Sequence, residues 1–313
     1  MMRQREPRLT GLPLSDVMVF MVKRAIFFAL SVAALTSPVR AQETLYVATG
    51  SKGASGVLYT VDPLTAASTM VGPITTSAGA IGMTGLAFDP LNGVLYGITG
   101  LESPNSPRNL VTINPATAAA TVVGTLTSTF GTTGLTDISF RSDGTLFGIS
   151  PSTLYTINLG TGALTSIGST GENPPGGGLA FNSSGTLYSA GIATGTVDTL
   201  NTSTGARAVG PTMTGAPHAG SLGAMMALGF SSATTLYAAN SAREQNGATI
   251  TTVNLVTINP GTGVVTNIGA LPGNVDALTF SPVPEPSSMA LLGLGALIAG
   301  FLGRRRRFTD RRS

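Results

Sequence analysis

The strongest constraint on this 313-residue chain is a four-part pattern that returns along residues 44–282. A strand-like segment ending in phenylalanine occurs five times: Gly85-Leu-Ala-Phe88, Asp137-Ile-Ser-Phe140, Gly178-Leu-Ala-Phe181, Ala227-Leu-Gly-Phe230 and Ala277-Leu-Thr-Phe280. The phenylalanines lie 52, 41, 49 and 50 residues apart. A second segment follows a turn: Leu95-Tyr96, Leu146-Phe147, Leu187-Tyr188 and Leu236-Tyr237. A third ends in Asp or Asn, at Asp62, Asn114, Asn158, Asn201 and Asn259. A fourth ends in glycine, at Gly72, Gly124, Gly168, Gly210 and Gly269. Each segment alternates with period two and is rich in Thr, Val, Ile and Tyr, as half-buried strands are. The joints carry turn chemistry such as Asn92-Gly93, Asp143-Gly144 and Thr262-Gly263. Four short strands recurring at this period describe the blades of an all-β propeller.

The register at the two ends predicts how such a ring closes. The body opens at Leu45-Tyr46, a second-strand motif, and finishes at Phe280, a first-strand motif. The last strand therefore completes the first blade and removes the free edges that invite aggregation. The count is five blades, or six if one repeat is hidden in a diverged loop. Across the body the motifs resemble those of NHL-like and similar β-propellers. The first-strand phenylalanines are expected to pack between blades, with Leu86, Ile138, Leu179, Leu228 and Leu278 on the same face as core.

After Pro282 the composition changes. Pro284 and Pro286 bracket Glu285 and hold the backbone extended. The next charge after Glu285 is Arg304, the first of four arginines ending at Arg307, so the run Pro286–Gly303 is 18 uncharged residues. A helix over 287–303 is predicted to enter the membrane, with the arginines held on the cytoplasmic side. Val-Pro-Glu-Pro-Ser, a short apolar helix and an arginine cluster, in that order, resemble a PEP-CTERM sorting signal. The resemblance covers 283–307 and implies recognition of Pro284, Glu285, Pro286 and Arg304, Arg305, Arg306 and Arg307 by a membrane-embedded exosortase of a Gram-negative bacterium. It also implies passage through the inner membrane and delivery to the cell surface or beyond. Residues 308–313 form a short basic extension. The plainer alternative is a permanent tail anchor, for which a glycine-rich span of this length is marginal.

The other end carries the matching signal. Lys23-Arg24 precede the apolar run Ala25–Leu35, and Val39-Arg-Ala41 places small residues at −3 and −1, predicting cleavage between Ala41 and Gln42. Residues 1–41 are thus an export region, with Met21 a plausible true start. Between Gln42 and Pro286 stand five basic and eleven acidic residues, a net −6, although the whole chain is +3. The basicity belongs to the ends, which removes the main support for a nucleic-acid role. The chain has no cysteine, so an exported fold must stand on its own core.

Candidate chemistry is sparse. His218 is the only histidine, in the loop Gly215-Ala-Pro-His-Ala-Gly220, and no nucleophile elbow accompanies it. It reads as a solvated loop residue. No catalytic residue, metal ligand or cofactor is assigned. The Asp/Asn series at the third-strand ends admits a ring of calcium ligands, but turn capping is the simpler expectation. Asp89, Asp137 and Asp143 read as turn or strand-end residues. Long Gly/Pro-rich loops precede the first strands, and the sequence points to them as binding loops, with Glu172, Asn173 and His218 among them. The function that follows is a non-enzymatic, exported surface or matrix protein presenting a propeller to a partner, with exopolysaccharide suggested by the sorting family. An extracytoplasmic propeller lyase or hydrolase, and a self-assembling structural protein, are the alternatives.

Overall fold

The computed structural model describes residues 43–50, 55–129, 131–150, 152–171, 177–191, 195–218, 223–232, 234–242 and 252–282. They contain strands and turns and no helix, and none of them forms a helix able to cross a membrane. Blade 1 begins with β1 (Leu45–Thr49), β2 (Val57–Val61) and β3 (Ser68–Pro73). A small hairpin of β4 (Thr75–Thr76) and β5 (Gly79–Ala80) leads into blade 2: β6 (Met83–Phe88), β7 (Leu95–Thr99), β8 (Asn109–Ile113) and β9 (Ala120–Thr125). A second hairpin, β10 (Thr127–Ser128) and β11 (Gly131–Thr132), leads into blade 3: β12 (Asp137–Phe140), β13 (Leu146–Ile149), β14 (Thr153–Ile157) and β15 (Leu164–Ser169). Blade 4 is β16 (Gly177–Phe181), β17 (Leu187–Gly191), β18 (Val197–Leu200) and β19 (Arg207–Ala208). Blade 5 is β20 (Gly223–Phe230), β21 (Leu236–Ala242), β22 (Val253–Ile258) and β23 (Val265–Leu271), and β24 (Val275–Phe280) follows.

Each blade is an antiparallel four-stranded sheet, and the first has the order β24-β1-β2-β3. The C-terminal strand therefore supplies the missing inner strand, with Tyr46 opposite Thr279 and Val47 opposite Leu278. Two further ties close the ring. The Thr44 and Ser281 backbones are joined by Ser281 N–H donating to Thr44 O at 2.8 Å, while Thr44 N–H donates to Ser281 Oγ at 2.9 Å. Glu43 reaches blade 5, accepting from Ser232 N–H at 2.9 Å and from its hydroxyl at 2.7 Å. The fold is a closed five-bladed propeller, so the six-blade alternative is set aside.

The core is divided between the blades. Its five hydrophobic clusters each join one blade to the next, including the pair formed by blades 5 and 1. At every junction the second-strand aromatic of one blade meets the first-strand phenylalanine of the following one: Tyr46–Phe88, Tyr96–Phe140, Phe147–Phe181, Tyr188–Phe230 and Tyr237–Phe280. Centroid distances run from 5.1 to 5.6 Å with tilted or edge-on rings. Such pairs contribute about 0.5–1.5 kcal/mol each beyond the area they bury. Burial raises the phenol pKa of Tyr46, Tyr96 and Tyr237, the last two also feeling Asp89 and Glu43.

The hairpins between third and fourth strands repeat one geometry. The Asp62, Asn114, Asn158, Asn201 and Asn259 side chains each accept from the backbone N–H two residues on, at 2.8–3.0 Å. These are turn caps, as turn chemistry predicts, and the side-chain oxygens face their own loops. Four residues further on, the chain turns left-handed, at Ala66 (φ 60°), Ala118 (φ 61°), Gly162, Gly205 and Gly263. In blades 1 to 4 the hairpin then lies against the fourth-strand glycine of the preceding blade, whereas that of blade 5 lies against Thr212. A Cβ on Gly168 would run into Thr204 O, and one on Gly205 would sit 2.5 Å from Gly168 O.

Blade 4 departs from this plan. In the other blades a bulge between third and fourth strands sits beside Tyr59, Val111, Tyr155 and Val256. The equivalent residue in blade 4 is Asp198, fully buried, with Oδ1 taking Gly210 N–H at 2.9 Å and Oδ2 bound to Arg207 at 3.0 Å. The outer strand is reduced to Arg207–Ala208, and Val209 is turned out to 68% exposure. A charge placed where an apolar side chain belongs drew a cation and an amide to it, and the strand bends to deliver them.

Candidate binding site at the channel mouth

The inner strands β24, β6, β12, β16 and β20 line the axis of the ring. Three residues before each phenylalanine stand Gly85, Asp137, Gly178, Ala227 and Ala277. Small side chains at this level let the strands approach closely. A Cβ on Gly178 would strike the backbone nitrogen of Leu228, and one on Gly85 would lie 3.0 Å from the Asp137 carboxylate.

Asp137 is the exception in that ring, the one carboxylate at this level of the inner strands. Its side chain is 0% exposed. Oδ1 accepts from Ile138 N–H at 2.8 Å, and Oδ2 accepts from Leu179 N–H in blade 4 at 2.8 Å and Leu228 N–H in blade 5 at 3.3 Å. Inner-strand edges otherwise present unpaired N–H groups to the axis. One carboxylate thus satisfies donors from two neighbouring blades. Burial pushes its pKa well above the ordinary carboxylate value, the three amide donors oppose that shift, and Asp276 adds to it. The sequence placed Asp137 at a strand end, which it occupies, but its partners lie 42 and 91 residues away.

Where the first strands finish lies a bowl of about 260 Å³. Leu86, Ile138, Leu228 and Leu278 form its apolar floor, and the five first-strand phenylalanines its wall. The rim is serine-rich, with Ser142, Ser183, Ser231, Ser232 and Ser281, together with Asn182 and Pro282. Glu43 is the one ionisable side chain in the lining, and Ser232 holds both its oxygens. Arg141 stands next to the wall residue Phe140 but is turned to Asp143 at 2.6 Å and over the Phe147 ring at 5.2 Å. The bond from Arg141 holds the Asp143 carboxyl well below the usual range. Asp89 caps its own turn through Leu91 N–H at 2.9 Å. Asp89 and Asp143 are therefore the turn residues they were read as.

The loops pointed to by the sequence precede the first strands and so lie at the opposite end from this bowl. Of their candidates, His218 is half-buried and held rather than freely solvated. Its N–H donates to Asn240 Oδ1 at 2.9 Å, Asn240 Nδ2 donates to His218 O at 3.2 Å, and Nε2 meets Asn254 Oδ1 at 3.1 Å. Its partners are amides of β21 and β22, and among the described residues no carboxylate is bonded to the ring to form an acid–base pair. Glu172 and Asn173 lie outside the described residues, as do Ala41, Gln42, Pro284, Glu285, Pro286 and the Arg304–Arg307 cluster. The helix predicted over 287–303 lies outside them too. Among the described residues no three His, Asp or Glu side chains gather to hold a metal ion.

A closed propeller with a bowl at its axis is the class of protein that this fold and site define. Residues 282–307 match the family model of the PEP-CTERM protein-sorting motif, beginning at the rim residue Pro282. The chain is therefore exported and sorted at its C-terminus, with the propeller as the body that is carried. No curated protein matches it in sequence. Similar solved structures include a chain of a nidogen/laminin complex, 11% identical over 77% of this chain and 98% of that one, with TM-score 0.49. A chain of the Kuenenia stuttgartiensis hydrazine synthase is 14% identical over 61% and 49%, with TM-score 0.38. A third, from work on the de novo evolutionary emergence of a symmetrical protein, is 16% identical over 77% and 100%, with TM-score 0.44.

Proposed function

We propose that the propeller is a non-enzymatic binding module, delivered to the cell surface or extracellular matrix by an exosortase-type enzyme acting on the C-terminal motif. The observation that carries a binding role is the lining of the channel mouth. It offers an apolar floor, aromatic walls and hydroxyl donors, while its one carboxylate is already engaged by Ser232. Acid–base or nucleophilic chemistry needs titratable groups free to act on a substrate. A surface coated in Ser, Thr, Asn and Gly suits a neutral, hydroxylated polymer better than a polyelectrolyte, so extracellular polysaccharide is the partner put forward.

The test is retention of the body, residues 42–282, on matrix polysaccharide from the producing cells. Saturable retention with the polymer chain length unchanged supports the reading. Failure to bind any matrix polymer counts against it, and a shortened polymer would establish an enzyme instead.

A further inference from the structure

We propose that the channel-mouth bowl is a site for a small uncharged molecule with an apolar ring and an oxygen acceptor, of the aromatic or alicyclic ketone, ester or lactone class. This rests on the reading of the propeller as a binding module and names a ligand for it.

Size comes first. A volume of about 260 Å³ suits a molecule of one small ring and its substituent better than a larger ligand. Charge is next. The floor is aliphatic and the wall aromatic, so an ionised group would lose its hydration without a counter-ion. An anion would also face Glu43, and a cation would compete there with the Ser232 donors that already hold both its oxygens. An uncharged ligand avoids both costs.

The hydrogen-bonding pattern decides the rest. Ser139 Oγ accepts Phe181 N–H at 3.0 Å, Ser231 Oγ accepts Thr235 N–H at 3.3 Å, and Ser281 Oγ accepts Thr44 N–H at 2.9 Å. Each hydroxyl has thereby used an acceptor lone pair and keeps its proton to give. The Thr279 hydroxyl has no partner among the described residues. All four line the bowl. Four hydroxyl protons can thus be given into a largely apolar lining, and a ligand oxygen that accepts them is their complement.

Protein-observed NMR on residues 42–282 tests this with acetophenone, ethylbenzene, benzoate, benzylammonium and methyl β-glucoside. Every strand of the ring lies between Leu45 and Phe280, so this body is the folded unit. Acetophenone is expected to give saturable shifts centred on Phe140, Phe230 and Thr279, and to bind at least tenfold more tightly than benzoate or benzylammonium. Thr279→Val keeps the shape and removes one donor. It should weaken acetophenone several-fold and leave ethylbenzene unchanged. If the variant does not fold, the wild-type ranking alone decides. The proposal is overturned if no probe gives saturable shifts at the bowl, if benzoate matches acetophenone, or if the variant affects both neutral probes equally. Tighter binding of the glucoside also overturns it, in favour of a sugar site. Retention on polysaccharide with an empty bowl would sink the ligand and move the binding role of the propeller from the bowl to another surface.

Discussion

Replacing Asp137 removes a carboxylate that accepts from the inner strands of two other blades. In Asp137→Ala the N–H groups of Leu179 and Leu228 lose their acceptor in a dry interior, at about 1–3 kcal/mol each. The 3.3 Å bond to Leu228 belongs at the low end of that range. Relief of a buried charge offsets part of the loss of about 2–4 kcal/mol, so the net destabilisation is about 1–3 kcal/mol. Asp137→Asn keeps one oxygen for the two inter-blade donors and turns its amide toward Ile138 N–H, costing about 1–2 kcal/mol. The pH dependence gives an independent signature. Because the native pKa is raised, the folded chain holds this proton over a window in which the unfolded chain has released it. The Asp137 contribution therefore falls as pH rises from the ordinary carboxylate range through the raised native value, and is level above it. Urea unfolding of wild type and Asp137→Asn, followed across mildly acidic to neutral pH, isolates the term as the difference between the two curves. The wild type should lose its margin over Asp137→Asn as pH rises through the window. Equal stability with parallel pH profiles would refute the role of Asp137 as a tie between blades.

Three further outcomes follow from the packing. Gly205→Ala should cost more than about 2 kcal/mol, since φ is +76° and the new methyl meets Gly168 O at 2.5 Å. Ala66→Gly, at the same turn position in blade 1, should change stability by less than about 1 kcal/mol in chemical denaturation, because relief of the left-handed backbone offsets a lost buried methyl. Asp198→Ala should destabilise by about 2–4 kcal/mol, leaving Gly210 N–H and Arg207 without their acceptor. Asp198→Val, which restores the residue type of Val111 and Val256, should cost less; an equal loss in thermal unfolding contradicts the account of blade 4. Intact mass of the protein recovered from its host should begin at Gln42 and lack the Arg304–Arg307 cluster, and a mass retaining that cluster would mean a permanent anchor.

The ring was legible because the repeat is read in local patterns. Phe88 and its four counterparts announce inner strands, and Asn114 and its counterparts announce hairpins, each through short-range chemistry. The closure of β24 on β1 was legible from register alone. Asp137 and Asp198 were harder because their partners are chosen by the assembled ring, not by their neighbours in sequence. A signal did exist: aligning the repeats puts Asp137 among Gly85, Gly178, Ala227 and Ala277, and Asp198 among Tyr59, Val111, Tyr155 and Val256. A lone carboxylate in a column of small or apolar residues marks a place where the quasi-symmetry is broken. The bowl was missed because its lining is the repeat itself, the phenylalanines and the residues just after them, which were read as core and turn. The long loops at the other end carry the Gly/Pro-rich composition that signals binding loops, and there His218 is tied to asparagines.

The closed five-bladed ring is tested most directly by a cross-link across its seam. The chain has no cysteine, so Ala48→Cys with Ala277→Cys introduces the only two thiols. These positions are opposite one another on β1 and β24, and both are fully buried. Antiparallel partners stand about 4.5–5.5 Å apart at Cα, within the span of a disulfide. A closed ring predicts near-quantitative oxidation of the folded double variant, seen as faster migration on denaturing gels that reverts on reduction. Two thiols that stay free and reactive in the folded protein would show that the ends of the chain do not meet in one blade.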